Sequence, residues 1–224
     1  NIDQCFVIIT EYNRRIQGFL VRGVERIVNM NWSDIQPPPK GLSNDNYLTA
    51  VCQVEKEMVE ILDVEQILSE VAPTRQDISD GIVNDGVQEN AKKHHILIVD
   101  DSSVARKQIK RCMEQVGFST TVLCDGREAL NFLEAMVAEG KDVTEEFSMV
   151  ISDIEMPEMD GYTLTTAIRN DSRLQDLFIL LHTSLSGVFN ESMVKKVGAD
   201  GFLAKFQPDE LARLAIETVQ VQSE

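Results

Sequence analysis

Residues 96–102, Ile-Leu-Ile-Val-Asp-Asp-Ser, and residues 151–161, Ile-Ser-Asp-Ile-Glu-Met-Pro-Glu-Met-Asp-Gly, decide how this chain is read. The first is an apolar run of strand length that stops at carboxylates, and the second opens on the last two residues of another, Phe147–Ser152, with Asp153 next. Working outward, His95–Val99 reads as a strand and Ser102 to Val116 as a helix ended by Gly117. Phe118–Leu123, Phe147–Ser152, Phe178–His182 and Ala199–Leu203 read as further strands, and Gly126–Ala138, Gly161–Asn170, Val188–Val197 and Pro208–Val219 as further helices. Five strands thus alternate with five helices. The strands are mostly apolar rather than alternating, as when helices cover both faces of a parallel sheet. Right-handed crossovers then predict an α/β, doubly wound, five-stranded parallel sheet.

Ligand sites in such sheets form at the carboxyl ends of the strands. The first strand ends in Asp100-Asp101, the third in Asp153 and the fourth in Thr183-Ser184, and Lys205 lies just beyond the fifth. Taken singly, each has an ordinary reading: Asp100, Asp101 or Ser102 as a helix cap, Asp153 as a loop acid, Thr183 as a strand-end residue, Lys205 as a solvated cation. Taken together they bring three carboxylates, a hydroxyl and an ammonium to one edge. Clustered carboxylates repel unless a cation neutralises them, and oxygen-only ligands suit Mg²⁺. One carboxylate can then attack a phosphoryl group, with the metal, Thr183 and Lys205 holding its oxygens.

The 224 residues suit one or two domains, with 43% hydrophobic and 26% charged residues, the composition of a globular protein. A net charge of −16 argues against nucleic acid and anionic membrane as partners. No apolar run approaches the roughly 18–20 residues of a membrane span. The four cysteines, Cys5, Cys52, Cys112 and Cys124, form no C-x-x-C pair and are expected to be reduced, mostly buried thiols, as in the cytoplasm. The start, Asn1-Ile2-Asp3-Gln4, has no signal-peptide pattern and enters a strand-like run at once, so N-terminal sequence is expected to be missing.

Residues 1–72 read mainly as strands: Phe6–Ile9, a turn at Glu11–Arg15, Ile16–Val21, then a break at Pro37-Pro38-Pro39. Tyr47–Val54 and Met58–Leu62 form a predicted hairpin around Glu55-Lys56-Glu57. Asp63 caps a short helix with apolar positions Val64, Ile67, Leu68 and Val71, ended by Pro73. Residues 73–93 are polar, with Pro73, Gly81 and Gly86, and read as a linker. Residues 94–224 form the α/β domain.

The stretches I-L-I-V-D-D-S, I-S-D-I-E-M-P-E-M-D-G, L-H-T-S at 181–184 and G-F-L-A-K at 201–205 resemble the response-regulator receiver family, over about residues 94–220. The resemblance implies a flavodoxin-like sheet with Asp153 as phosphoacceptor. Asp100, Asp101, Asp153 and the backbone carbonyl of Glu155 would serve Mg²⁺, Thr183 would be the switch hydroxyl, Phe202 the aromatic that changes rotamer, and Lys205 the phosphate partner. Receivers usually follow this lysine with proline. Here Phe206 follows, which predicts a trans Lys205–Phe206 peptide, and the loop Gly140–Glu146 is longer than usual. Leu185 is expected to restrict water at the site and slow hydrolysis.

Residues 17–21 (Q-G-F-L-V) and 47–68 (Y-L-T-A-V-C-Q-V-E-K-E-M-V-E-I-L-D-V-E-Q-I-L) resemble the later half of the CheW family, the chemotaxis coupling fold. A mostly-β CheW-like segment followed by a receiver is the layout of the CheV family. It implies a non-enzymatic cytoplasmic adaptor at receptor arrays that couples chemoreceptor signalling tips to a CheA-like histidine kinase and is regulated by phosphorylation at Asp153. Two alternatives stand beside it. One is an inert or phosphate-sink receiver in a structural scaffold. The other, disfavoured because D-D-S and I-S-D-I-E replace its D-x-D, is an aspartate-dependent phosphotransferase of the haloacid-dehalogenase type.

Overall fold

The structure, a computed structural model, describes residues 5–12, 15–31, 34–37, 47–62, 64–71, 77–183, 188–205 and 207–222. The readings at Asp63, Pro38, Pro39, Pro73, Ser184, Leu185 and Phe206, including the Lys205–Phe206 peptide, lie outside the described residues. Apart from the five residues Glu11–Arg15, the chain divides into a compact unit up to Arg75 and a second from Gln76 to Glu224.

In the first unit β1 (Phe6–Tyr12) pairs with β2 (Arg15–Val21). β1 runs on into the residues read as a turn; both flanks of that turn carry strand-compatible side chains. A short β3 (Ile35–Gln36) joins the antiparallel hairpin of β4 (Leu48–Val54) and β5 (Glu57–Leu62), followed by helix α1 (Val64–Val71). The predicted hairpin is therefore present. Its turn is tight because Glu55 adopts a left-handed φ of 58°. Ala50, Val51 and Cys52 are buried, whereas Phe6, Val7, Ile9, Ile16 and Leu20 stay largely exposed.

The second unit opens with helix α2 (Asp85–Ala91), capped by Asn84, whose side chain accepts from Val87 N. Part of the stretch read by composition as a linker, 73–93, is thus helical. Apolar residues too sparse to set a period, Ile78, Ile82, Val83 and Val87, nonetheless pack onto the core.

Then come β6 (His95–Val99), α3 (Ser103–Val116), β7 (Ser119–Leu123), α4 (Gly126–Ala138), α5 (Val143–Glu146), β8 (Met149–Ser152), α6 (Gly161–Asn170), β9 (Ile179–Thr183), α7 (Val188–Val197), β10 (Gly201–Ala204) and α8 (Pro208–Gln222). The segment expected as a long loop holds the single turn α5, capped by Asp142 with Val143 buried. The strands begin later than predicted at Phe118, Phe147 and Phe178. These aromatics extend the apolar run but sit just before the ladder; Phe118 and Phe147 are buried, and Phe178 is partly buried against the core.

The sheet order is β7-β6-β8-β9-β10, all parallel, the flavodoxin-like order. Alternation along β6 sends Leu97 and Val99 to the layer of α4, α6 and α7, and Ile96 and Ile98 to the layer of α3 and α8. The order reverses between β6 and β8, which makes a crevice at their carboxyl ends. Among the described residues no helix is long and apolar enough to cross a membrane. All four cysteines are free; Cys52 and Cys112 are buried, but Cys124, just past the end of β7, is exposed.

Candidate phosphate-accepting site at the sheet edge

Asp100 follows β6 and Asp153 follows β8, on the two strands that flank the crevice. Asp100 is fully buried and Asp153 only 5% exposed. Backbone bonds hold them: Asp153 N donates to Val99 O at 2.8 Å, and Asp100 Oδ1 accepts from Ser102 N at 2.9 Å. Ser102, not either aspartate, caps α3, accepting from Ala105 N. Helix capping at α3 is therefore the work of Ser102 and not of the acidic pair.

Lys205 is 4% exposed and reaches both acids, its Nζ 2.8 Å from Asp100 Oδ2 and 3.0 Å from Asp153 Oδ2. Asp101 is exposed, yet a carboxylate oxygen of each of Asp100, Asp101 and Asp153 lies within 4.8 Å of the others. One ammonium cannot neutralise three carboxylates. Burial pushes the Asp153 carboxyl up to about 7; Lys205 opposes this and the neighbouring Asp100 charge adds to it. A compact, anionic, all-oxygen pocket fits Mg²⁺ in charge and donor type.

Thr183 ends β9, fully buried, and its carbonyl accepts from Lys205 N at 2.8 Å, which ties the hydroxyl-bearing residue to the lysine loop. Phe202, on β10 beside Leu181, is half-buried against the α4–α6 layer. Glu155 lies two residues past Asp153 in the same loop. That loop is shaped by glycine. A Cβ on Gly161 would fall 2.1 Å from Asp153 O, and one on Gly126 would fall 2.5 Å from Met159 O. The loop between β8 and α6 thus passes close to the two helix starts only because neither carries a side chain there.

Two residues of this site escaped the sequence. Arg106 Nη1 donates to Asp100 O at 2.6 Å and to Asp101 O at 2.7 Å, fixing the acidic turn from behind. Its signal was available: a cation near the positive end of a helix is misplaced unless it has specific acceptors. His182, 2% exposed, has neither ring nitrogen hydrogen-bonded among the described residues. Burial, with the Lys205 charge adding, pushes its imidazole down to about 3, so it is neutral.

A sequence model of the response regulator receiver domain matches residues 96–216, more than half of the chain, and one of the CheW-like domain matches residues 1–72. The chain is 32% identical to chemotaxis protein CheV3 of Helicobacter pylori over 219 residues, covering 92% of this chain and 67% of that protein. The chain belongs to the CheV family. Chemotaxis protein CheV2 of the same organism is 28% identical over 205 residues, 91% of this CheV-family chain and 64% of the relative. The chain thus spans about two thirds of the length of these relatives. Among solved structures, the signal receiver domain of a signal transduction histidine kinase from Syntrophus aciditrophicus is 29% identical, with a TM-score of 0.50, covering 58% of this chain and 92% of that one. The CheV-family layout agrees with both resemblances read from the motifs.

Proposed function

We propose that this CheV-family chain is a chemotaxis coupling adaptor whose receiver takes a phosphoryl group onto Asp153. The observation that carries the reading is the buried Lys205 ammonium bridging Asp100 and Asp153 at the switch point of the sheet, with Asp101 alongside. A phosphohistidine of a CheA-like kinase is the natural donor. The Asp153 oxygen bonds to phosphorus, the phosphorus–nitrogen bond breaks, and the leaving imidazole recovers a proton. Asp100, Asp101, Asp153 and the Glu155 carbonyl would hold Mg²⁺, which supplies charge neutralisation of the transferring group. Lys205 and the Thr183 hydroxyl bind phosphoryl oxygens, and Arg106 keeps the acidic turn in place.

Drawing Thr183 towards the new oxygens lets Phe202 turn into the space it leaves, a two-state bias that changes the receiver surface. The CheW-like segment engages chemoreceptor signalling tips and the kinase, in the cytoplasm at receptor arrays. The protein is a signalling component, not a turnover enzyme. Binding of the full chain to a CheA-like kinase, measured with and without Mg²⁺ and acetyl phosphate, tests this. The affinity should differ between phosphorylated wild type and Asp153→Asn; equal affinities would sink the regulatory reading.

A further inference from the structure

Residues 77–93 lie between the two ranges that the domain models match. They are nonetheless anchored by paired polar contacts. Asp77 Oδ1 accepts from Arg111 Nε at 2.9 Å and from Gln115 Nε2 at 2.5 Å, both on α3. Gln115 Oε1 accepts in turn from the Ile78 backbone N–H at 3.2 Å. Ser79 donates twice to Asp209 on α8, its N–H to Oδ1 at 2.7 Å and its hydroxyl to Oδ2 at 2.5 Å. Ile78, Ile82 and Val83 pack against the core layer of α3 and α8. Behind them α2 is seated closely on the end of α3: a Cβ on Gly117 would come within 3.2 Å of Gln88 O.

The position of the Ser79–Asp209 clasp gives it a consequence. Asp209 stands in the first turn of α8, four residues after Lys205. Lys205 is held against Asp100 and Asp153, so one short stretch of chain joins the phosphate-site cation to the carboxylate that grips the strap. A phosphoryl group on Asp153 is larger than the oxygen it extends and would require the ammonium to leave its present place between the two acids. The strap is also suited to release. Between it and α8 runs an open groove of about 470 Å³ lined by Ser79, Asp80, Gly81, Ile82, Arg213 and Ile216 among others, so water reaches its edge.

We propose that residues 77–84 are an intramolecular partner docked on the α3–α8 face of the receiver, and that phosphorylation of Asp153 loosens them at the Ser79–Asp209 clasp. The docking half stands on the contacts above; the release half rests on the phosphoacceptor reading. Freeing eight residues adds up to about 26 Å of contour to the connector between the CheW-like segment and the receiver. It also uncovers Asp77, Asp209 and the apolar strip beneath Ile78 and Ile82. The receiver would then signal through the length of its own tether as well as through its surface.

Hydrogen exchange of the full chain, read by mass spectrometry, tests both halves. In unmodified protein the 77–84 peptide should be protected. Asp209→Ala, and more mildly Ser79→Ala, should speed its exchange by about tenfold or more while β6 stays protected. Unprotected 77–84 in wild type would overturn the docking. After Mg²⁺ and acetyl phosphate, with the adduct counted by intact mass, the same peptide should exchange at least about tenfold faster in wild type and be unchanged in Asp153→Asn. An adduct with unchanged strap exchange would overturn the release while leaving the phosphoacceptor reading intact. No adduct on wild type would overturn that reading and the release with it.

Discussion

Replacing Lys205 by methionine tests the electrostatics of the site most severely. The ammonium is almost wholly buried and lies 2.8 and 3.0 Å from carboxylate oxygens of Asp100 and Asp153. At an effective dielectric of about 20 each contact is worth about 6 kcal/mol of attraction before the desolvation of three buried ions is set against it. The net loss is smaller, because Asp153 can take up a proton once the cation is gone. Removing one partner of a buried charge cluster typically costs about 3–5 kcal/mol, which for a unit of this size lowers the melting temperature by roughly 10 °C. Mg²⁺ should recover much of that loss, since a divalent cation supplies the missing charge to the same carboxylates. The assay is calorimetric melting of the full chain with chelator and with saturating Mg²⁺. The double variant Lys205→Met/Asp153→Asn should lose less than Lys205→Met alone. A Lys205→Met protein that melts at the wild-type temperature in chelator, or that gains nothing from Mg²⁺ beyond the wild-type gain, would refute the reasoning.

Other perturbations have equally definite outcomes. His182 is held neutral with its imidazole at about 3 in the folded state against 6.5 ordinarily; the unfolded chain binds the extra proton between those values, so stability rises with pH across that window. Its share, up to about 1.4 kcal/mol per pH unit, should be present in wild type and absent from His182→Leu, so that the stability difference between the two changes between pH 4 and 6 in denaturant titrations; parallel pH profiles would count against it. Arg106→Ala should weaken Mg²⁺ binding measured by calorimetric titration of unphosphorylated protein, because the acidic turn loses its two carbonyl clamps, and an unchanged affinity would remove Arg106 from the site. Gly161→Ala places a methyl 2.1 Å from Asp153 O and should destabilise the receiver by about 1–3 kcal/mol or more, read as a lower denaturation midpoint; a neutral effect would mean that the loop relaxes freely.

The legibility of the sequence followed a physical divide. Asp100, Asp101, Asp153, Thr183 and Lys205 stood out because parallel strands deliver their carboxyl ends to a single edge, so position along the chain translates directly into proximity. Arg106 and His182 did not stand out, because their significance lies in what they meet: two backbone carbonyls in one case, a buried site with no hydrogen-bond partner among the described residues in the other. The strand starts were misplaced wherever a phenylalanine preceded the ladder, since burial and hydrogen bonding are separate demands that an apolar run cannot distinguish. Residues 77–93 read as a linker for the converse reason. Their anchoring depends on Asp77, Ser79 and a few scattered aliphatics meeting α3 and α8, the latter 130 residues away in the case of Ser79 and Asp209, and no local period records such a contact. In the CheW-like segment the hairpin around Glu55 was readable from two apolar runs flanking the charged Glu55-Lys56-Glu57, while the extent of β1 was not.

Intact mass of the full chain after incubation with Mg²⁺ and acetyl phosphate, beside Asp153→Asn treated in the same way, tests the central claim most directly. The account predicts a single phosphoryl adduct on the wild-type chain, lost on treatment with hydroxylamine, which cleaves an acyl phosphate, and none on Asp153→Asn. An unmodified wild type, or an adduct that persists in Asp153→Asn, would contradict it.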